Sequence, residues 1–298
     1  MVCDTAASLS RRGFLHAGLG LAGGVFTLGT VPVIGGGRSD VARWVLMADT
    51  HVPADQGNNY RGSFPYRNLA RAVEQIGEGR PEGILVAGDL ARLEGLPDDY
   101  GNLRTLLTLL MGDCPTYLAL GNHDHRDNFR RAFADRPGGE QDVQGKHVAV
   151  VDTGPVRLVV LDSLMYVNKT PGLLGKAQRQ WLDRYLQDVD DKPVVLCLHH
   201  TLGDGDGDLL DVPRLFEIVR PCAKVKAIVF GHSHTYRFSE LDGIHLINLP
   251  ALGYNFNDAQ PVGWVEARFK PVGVELILHA IAGNADLDGR STTLRWRS

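Results

Sequence analysis

The sequence predicts an α/β protein with its chemistry gathered along one edge of a sheet. Two observations carry that reading. The first is alternation: from Ala42 to Gly121, apolar runs of strand length alternate with segments whose apolar residues recur at helical spacing. The second is where the apolar runs stop. Those in WVLMADTH, ILVAGD, TYLALGNHD, VVLCLHH and AIVFGHSH end at Asp49 and His51, at Asp89, at Asn122-His123-Asp124, at His199-His200, and at His232 and His234. Residues two apart on an extended strand end project to one side. One or two such endings arise by accident, but five describe a single site at the carboxyl edge of a sheet, where open α/β folds build their clefts.

Each element follows from its local pattern. The run WVLMAD is the first strand, Phe64 to Ile76 an amphipathic helix, Gly83 to Asp89 the second strand, and Asp98 to Met111 a helix with Asp98 or Asp99 as its cap. Pro115 to Gly121 is the third strand, so the connections are parallel crossovers. Phe129 to Ala134 reads as helix, and His147 to Asp152 with Val156 to Asp162 as an antiparallel pair joined through Thr153-Gly154-Pro155. Helix Gly175 to Val189 carries Trp181, Leu182, Tyr185 and Leu186 on a face that reads as core packing. Strands Val194 to His199 and Lys226 to Gly231 flank a helix at Pro213 to Val219, with proline in the favoured first turn. Ile244 to Leu249, Val262 to Phe269 and Val272 to Ile281 read as meandering strands that complete a second sheet, and 286–298 as a basic tail, frayed or packed locally.

A chain of 298 residues with 44% hydrophobic content buries a sizeable core. A net charge of -4 without a basic stripe gives no reason to expect a nucleic-acid partner. Residues 1–40 stand apart: Arg11-Arg12 precedes a glycine-diluted run from Phe14 to Ile34 that resembles a twin-arginine export signal. A transmembrane helix is the alternative on length, opposed by five glycines and Pro32. The signal implies the twin-arginine export machinery as partner and an exported, periplasmic or extracellular, location; without a clear small-residue cleavage site, anchoring through an uncleaved signal stays open. Cys114, Cys197 and Cys222 lack C-x-x-C spacing and read as free thiols, and Cys3 precedes the apolar run, unlike a lipoprotein cysteine.

The order D-x-H, G-D, G-N-H-D, H, G-H-x-H resembles the calcineurin-like metallophosphoesterase superfamily over roughly Val41 to Ala282, and within it the class III cyclic-nucleotide phosphodiesterase and glycerophosphodiesterase branch. That resemblance implies a four-layer α/β/β/α sandwich of two mixed sheets flanked by helices, in a domain of 41–285. It also implies two transition-metal ions, divalent or trivalent: Asp49, His51 and His234 would hold one and Asn122, His199 and His232 the other, with Asp89 between them. Mixed nitrogen and oxygen ligation without cysteine suits Fe, Mn or Zn. Two adjacent cations bind a phosphodiester, generate hydroxide near neutral pH and stabilise the leaving oxygen. The expected activity is therefore phosphodiester hydrolysis of a small molecule. A phosphomonoesterase or nucleotidase is the alternative, and a non-catalytic scaffold is disfavoured by the intact ligand set. His123 is the candidate proton donor, oriented by Asp124 or by loop backbone. His200 reads as a neighbour of the ligands, whereas His125, His147, His245 and His279 read as structural.

Two departures qualify the resemblance. Arg92 stands where purple acid phosphatases place a tyrosine, and Thr201-Leu-Gly-Asp replaces the prolines frequent after the HH pair. Asp204 to Asp208 imitates a calcium loop, but Leu215 falls at the twelfth place, so a flexible acidic loop at the cleft mouth is expected.

Overall fold

The computed structural model describes residues 40–111, 114–134 and 138–298; the expected signal, with Arg11, Arg12 and Cys3, lies outside them. Strands β1 (Ala42–Met47), β2 (Gly83–Ala87) and β3 (Thr116–Ala119) run parallel, joined by α1 (Pro65–Gly79) and α2 (Pro97–Met111). α1 forms because Leu69, Ala72, Val73 and Ile76 share one face, and all four are buried. Asp99, expected as a cap, works from inside the first turn of α2: its carboxylate accepts from Leu96 N at 3.0 Å and from Ala54 N at 2.6 Å.

Next come α3 (Arg126–Ala132), β4 (Glu140–Gln141), β5 (Val148–Asp152), β6 (Arg157–Val160), α4 (Lys176–Asp188), β7 (Val194–Cys197), α5 (Val212–Val219) and β8 (Val225–Phe230). The chain ends through β9 (Arg237–Leu241), β10 (Ile244–Asn248), β11 (Pro261–Lys270), β12 (Gly273–Gly283) and β13 (Ser291–Arg295). One sheet has the order β13-β12-β11-β1-β2-β3, the other β4-β5-β6-β7-β8-β10-β9.

Strand alternation sorts side chains into layers. In β1, Val45 and Met47 pack with α1 and α2, while Trp44 and Leu46 join Leu158, Val160, Val195 and Val229 of the other sheet. The outer face of that second sheet is covered by Leu182 and Leu186 of α4 and Leu215, Phe216 and Val219 of α5. The result is the expected four-layer α/β/β/α sandwich.

The placement of the last strands differs from expectation. β10 joins the second sheet, parallel to β8, but β11 pairs antiparallel with β1 and carries β12 and β13 into the first sheet. β11 is almost wholly buried, which requires hydrogen-bonding partners on both sides, and β1 offers its free edge. Residues 291–295, read as tail, are an edge strand of alternating exposure, and β9 is likewise mostly exposed. Edge strands with one wet face lack the apolar runs that mark interior ones. Cys114 and Cys197 are buried free thiols and Cys222 is a half-buried one.

Candidate metal centre

The parallel strands deliver their next residues to one edge, where the backbone leaves the extended conformation. Asp49 (φ 53°), His51 (45°), Asp89 (47°), His232 (72°) and His234 (52°) all adopt left-handed backbone. Such residues cost energy and persist only where surrounding bonds hold them. Those bonds are present: Asp49 N donates to Gly88 O at 3.0 Å, His51 N to Asp89 O at 2.9 Å, and Gly231 N to His199 O at 3.0 Å. Gly121 is required by close approach, since a Cβ there would collide with the Asp89 carboxylate and backbone.

The seven expected ligands are brought together, and six of them form two groups. Asp49, His51 and His234 converge, as do Asp89, His199 and His232. Asn122, the seventh, sets its Oδ1 3.3 Å from His199 Nε2. Asp89 Oδ2 lies 3.3 Å from His199 Nε2 and 3.7 Å from His51 Nε2, so one carboxylate reaches both groups.

The imidazoles show what this arrangement is suited to hold. Each has one nitrogen on a backbone carbonyl: His51 Nδ1 on Arg92 O (3.3 Å), His199 Nδ1 on Ala87 O (2.8 Å), His232 Nε2 on Gly207 O (2.9 Å) and His234 Nδ1 on Tyr254 O (2.6 Å). A carbonyl only accepts, so these nitrogens carry the hydrogens, and wherever the ring is neutral the opposite one presents a lone pair. Yet the opposite nitrogens face each other, His51 Nε2 to His234 Nε2 and His199 Nε2 to His232 Nδ1, both at 3.2 Å. Two bare nitrogens at that distance repel, so a positive charge, either a proton or a metal ion, belongs between them. Carbonyl-fixed tautomers with converging lone pairs are the arrangement found around metal-ligating histidines.

The electrostatics agree. Burial pushes His51 down to about 3 and His232 down to about 4, so both are neutral. Burial also opposes charge on His199, but Asp89 beside it holds its pKa up at about 9. Burial works to raise Asp89 as well, and the His199 charge overcomes this and keeps it well below the usual carboxylate range. The buried Asp89 charge thus draws positive charge to its side of the site, while burial keeps His51 and His232 neutral.

His123 and Asp124 are placed differently from one another. The GNHD segment is a tight turn rather than an extended one, with Asp124 N donating to Gly121 O at 3.2 Å. His123 Nδ1 donates to Leu93 O at 2.8 Å, which turns Nε2 inward to 4.0 Å from Asp89 Oδ2. Loop backbone therefore orients this ring. Asp124, expected as its orienting partner, bonds elsewhere: its fully buried carboxylate accepts from Gly121 N (2.8 Å), Leu90 N (3.1 Å), Ala91 N (3.1 Å) and Tyr100 Oη (3.0 Å). It ties the loop after β2 to the loop after β3. Burial and the nearby Asp89 push its pKa up to about 7, against the pull of the three amides.

Several contributors escaped the sequence reading. Ser163 Oγ meets His200 Nδ1 at 2.7 Å and accepts from His199 N at 3.2 Å, fixing the HH pair. The acidic loop is tied into the site through the Gly207 carbonyl on His232. Asn168 N donates to Asn122 O at 2.6 Å. These are backbone groups or single hydroxyls, whose function no residue pattern encodes. Among the described residues the remaining histidines are structural: His125 caps α3 by accepting from Asn128 N, His147 meets Leu118 O, His245 meets Arg295 O, and His279 stacks on Trp264.

The two helix-covered sheets and their edge of carboxylate, amide and imidazole donors make a metal centre, and the family match makes it that of a metal-dependent phosphoester hydrolase. The chain belongs to the calcineurin-like phosphoesterase family, whose model matches residues 42–236. It is 31% identical to a probable cyclic nucleotide phosphodiesterase of Rhodopseudomonas palustris over 64% of this chain and 71% of that one. It is 27% identical to the 3',5'-cyclic adenosine monophosphate phosphodiesterase CpdA of Pseudomonas aeruginosa, over 64% and 68%. It is also 27% identical to the glycerophosphodiester phosphodiesterase GpdQ of Enterobacter lignolyticus, over 72% and 80%. Among solved structures, a dimetal phosphatase from Danio rerio shares the fold with TM-score 0.65 at 16% identity, covering 86% of this chain and 99% of that one.

Proposed function

We propose that the protein is a binuclear phosphodiesterase acting on a small-molecule diester of the cyclic-nucleotide or glycerophosphodiester type. The observation that carries the two-ion reading is the pair of facing, carbonyl-fixed imidazole contacts on either side of Asp89. Asp49, His51 and His234 would hold one ion, Asn122, His199 and His232 the other, with Asp89 shared; the donor set suits Fe, Mn or Zn. Bound there, the ions supply Lewis-acid charge and an activated water.

This chain's own residues do the rest. Asp124 fixes the loops that carry Asp89 and Asn122. His123, held by Leu93 O with its side chain 19% exposed, is within reach of a bound ester and donates the proton that a poor leaving oxygen needs. Preference for diesters is supported by the activities named for the relatives. The test compares rates on bis(p-nitrophenyl) phosphate and p-nitrophenyl phosphate with added Mn²⁺. A faster diester rate is expected, and a faster monoester rate would instead favour a phosphomonoesterase or nucleotidase. We further propose that the twin-arginine machinery exports the chain, on the strength of Arg11-Arg12 and the run behind them.

A further inference from the structure

The loop after β10 supplies a residue that none of the sequence motifs includes. Leu252 N donates to Ala48 O at 3.0 Å and Gly253 N to Asp49 O at 2.8 Å, stitching this loop to the end of β1. Tyr254 is thereby laid against the centre. Its carbonyl fixes His234, and its ring lies 4.7 Å from His51 and 4.8 Å from His234 between centroids. On its other sides the ring meets Tyr60 at 4.7 Å and the Arg92 guanidinium at 5.5 Å, and Arg92 is itself anchored on Asn58 Oδ1.

A side chain packed this well, with Tyr254 only 4% exposed, ordinarily has its hydroxyl satisfied. Tyr100 illustrates the rule, its hydroxyl joining Asp124 to His125 N. The Tyr254 hydroxyl has no protein partner among the described residues and is open to solvent, where a bound molecule can reach it. A phenol is a protonated donor at neutral pH. A donor with no protein partner, on a ring packed against two expected ligands of one ion, is suited to an oxygen that the protein does not supply.

We infer that the Tyr254 hydroxyl is a further substrate-binding group, donating a hydrogen bond to a non-bridging phosphoryl oxygen on the His51–His234 side. The inference rests on the phosphoesterase reading above. It assigns the phenol to the phosphoryl group common to every substrate of the site, separate from the leaving-group role of His123. It also gives the chain an active-site tyrosine that donates to the ester rather than binding an ion.

The test is Tyr254→Phe in the metal-loaded protein. This variant keeps the ring against His51 and His234 and the carbonyl on His234. Elemental analysis is expected to find the wild-type metal content. Titration calorimetry with inorganic phosphate is expected to show affinity weakened about ten-fold or more, the scale of a lost hydrogen bond to a charged group. Because the bond is to the phosphoryl group, kcat/KM should fall by a similar factor for alkyl and for p-nitrophenyl diesters. Phosphate affinity within about two-fold of wild type would overturn the inference, and so would loss of an ion, which would make Tyr254 a ligand or a prop. Wild-type protein tests the underlying reading separately. If it holds no metal and binds no phosphate, both fail; if it does both and Tyr254→Phe matches it, this inference alone fails.

Discussion

Replacing His123 by alanine separates proton donation from metal binding, a distinction that matters because His123 also converges with His51 and Asp89 in a group able to hold an ion. Its backbone N–H donates to Asp89 Oδ1 at 2.9 Å, and alanine keeps that bond. Its ring is held by Leu93 O and approaches Asp89 only to 4.0 Å, so removing it leaves the shared carboxylate in place. Both ions should therefore remain. What is lost is the proton for the departing alkoxide, worth about 100- to 10,000-fold, or about 2.7 to 5.4 kcal/mol of barrier. With p-nitrophenolate, which leaves without a proton, the loss should stay under about ten-fold. The assay pairs kcat/KM on an alkyl and an aryl diester with elemental analysis of the same preparations. Loss of metal, or equal slowing of both substrates, would refute the proton-donor role and make His123 a ligand or an orienting group.

Other substitutions read other parts of the site. Asp89→Ala removes the one carboxylate that reaches both histidine groups and should abolish most metal binding and activity; one ion or none in active wild-type protein would sink the two-ion reading. Asp124→Ala leaves three buried amides and the Tyr100 hydroxyl without an acceptor, at about 1 to 3 kcal/mol each. At about 2 to 4 °C per kcal/mol, the thermal midpoint should fall by roughly 10 °C or more, and an unchanged midpoint would contradict the stapling role. Replacing Arg11 and Arg12 by lysine should retain the protein in the cytoplasm, and normal fractionation of that variant would count against the export reading.

How much the sequence revealed depended on whether a feature was written in side chains or in backbone. Strand ends such as Ala48-Asp49-Thr50-His51 are legible because an apolar run that stops in ligand types, and does so repeatedly, rarely arises without a site to build. The layers were legible too, since β1 and α1 carry their periods openly. The sheet to which β11 belongs was not, because an interior strand shows the same apolar run whichever edge it joins. Asp124 illustrates a subtler limit. A His-Asp neighbour pair suggests contact, but the turn at Gly121 sends the two side chains to different partners. The carbonyls of Ala87, Arg92, Gly207 and Tyr254 that set the histidine tautomers have no sequence signature, because every residue owns a carbonyl.

The left-handed residues bear on stability. Among the described residues, nine other than glycine have positive φ, and five of them are expected ligands, so strain is concentrated at the site. Each costs about 1 to 3 kcal/mol, although Asp tolerates this region better than most residues. The protein's own bonds hold the strain: the Asp49 carboxylate accepts from His232 N at 3.0 and 3.1 Å, and the neighbouring amides are paired across strands. These bonds should hold the scaffold without an ion, so chelator-treated protein is expected to remain folded by circular dichroism. It should also be less stable than the loaded form. An ion present at about a hundred times its Kd contributes about 2.7 kcal/mol. For a domain of this size that is roughly 5 to 10 °C per ion. An unfolded chelated protein would mean that the ions, not the strand-end hydrogen bonds, hold these residues. An unchanged midpoint after proven metal loss would mean that the facing imidazoles gain nothing from a cation between them.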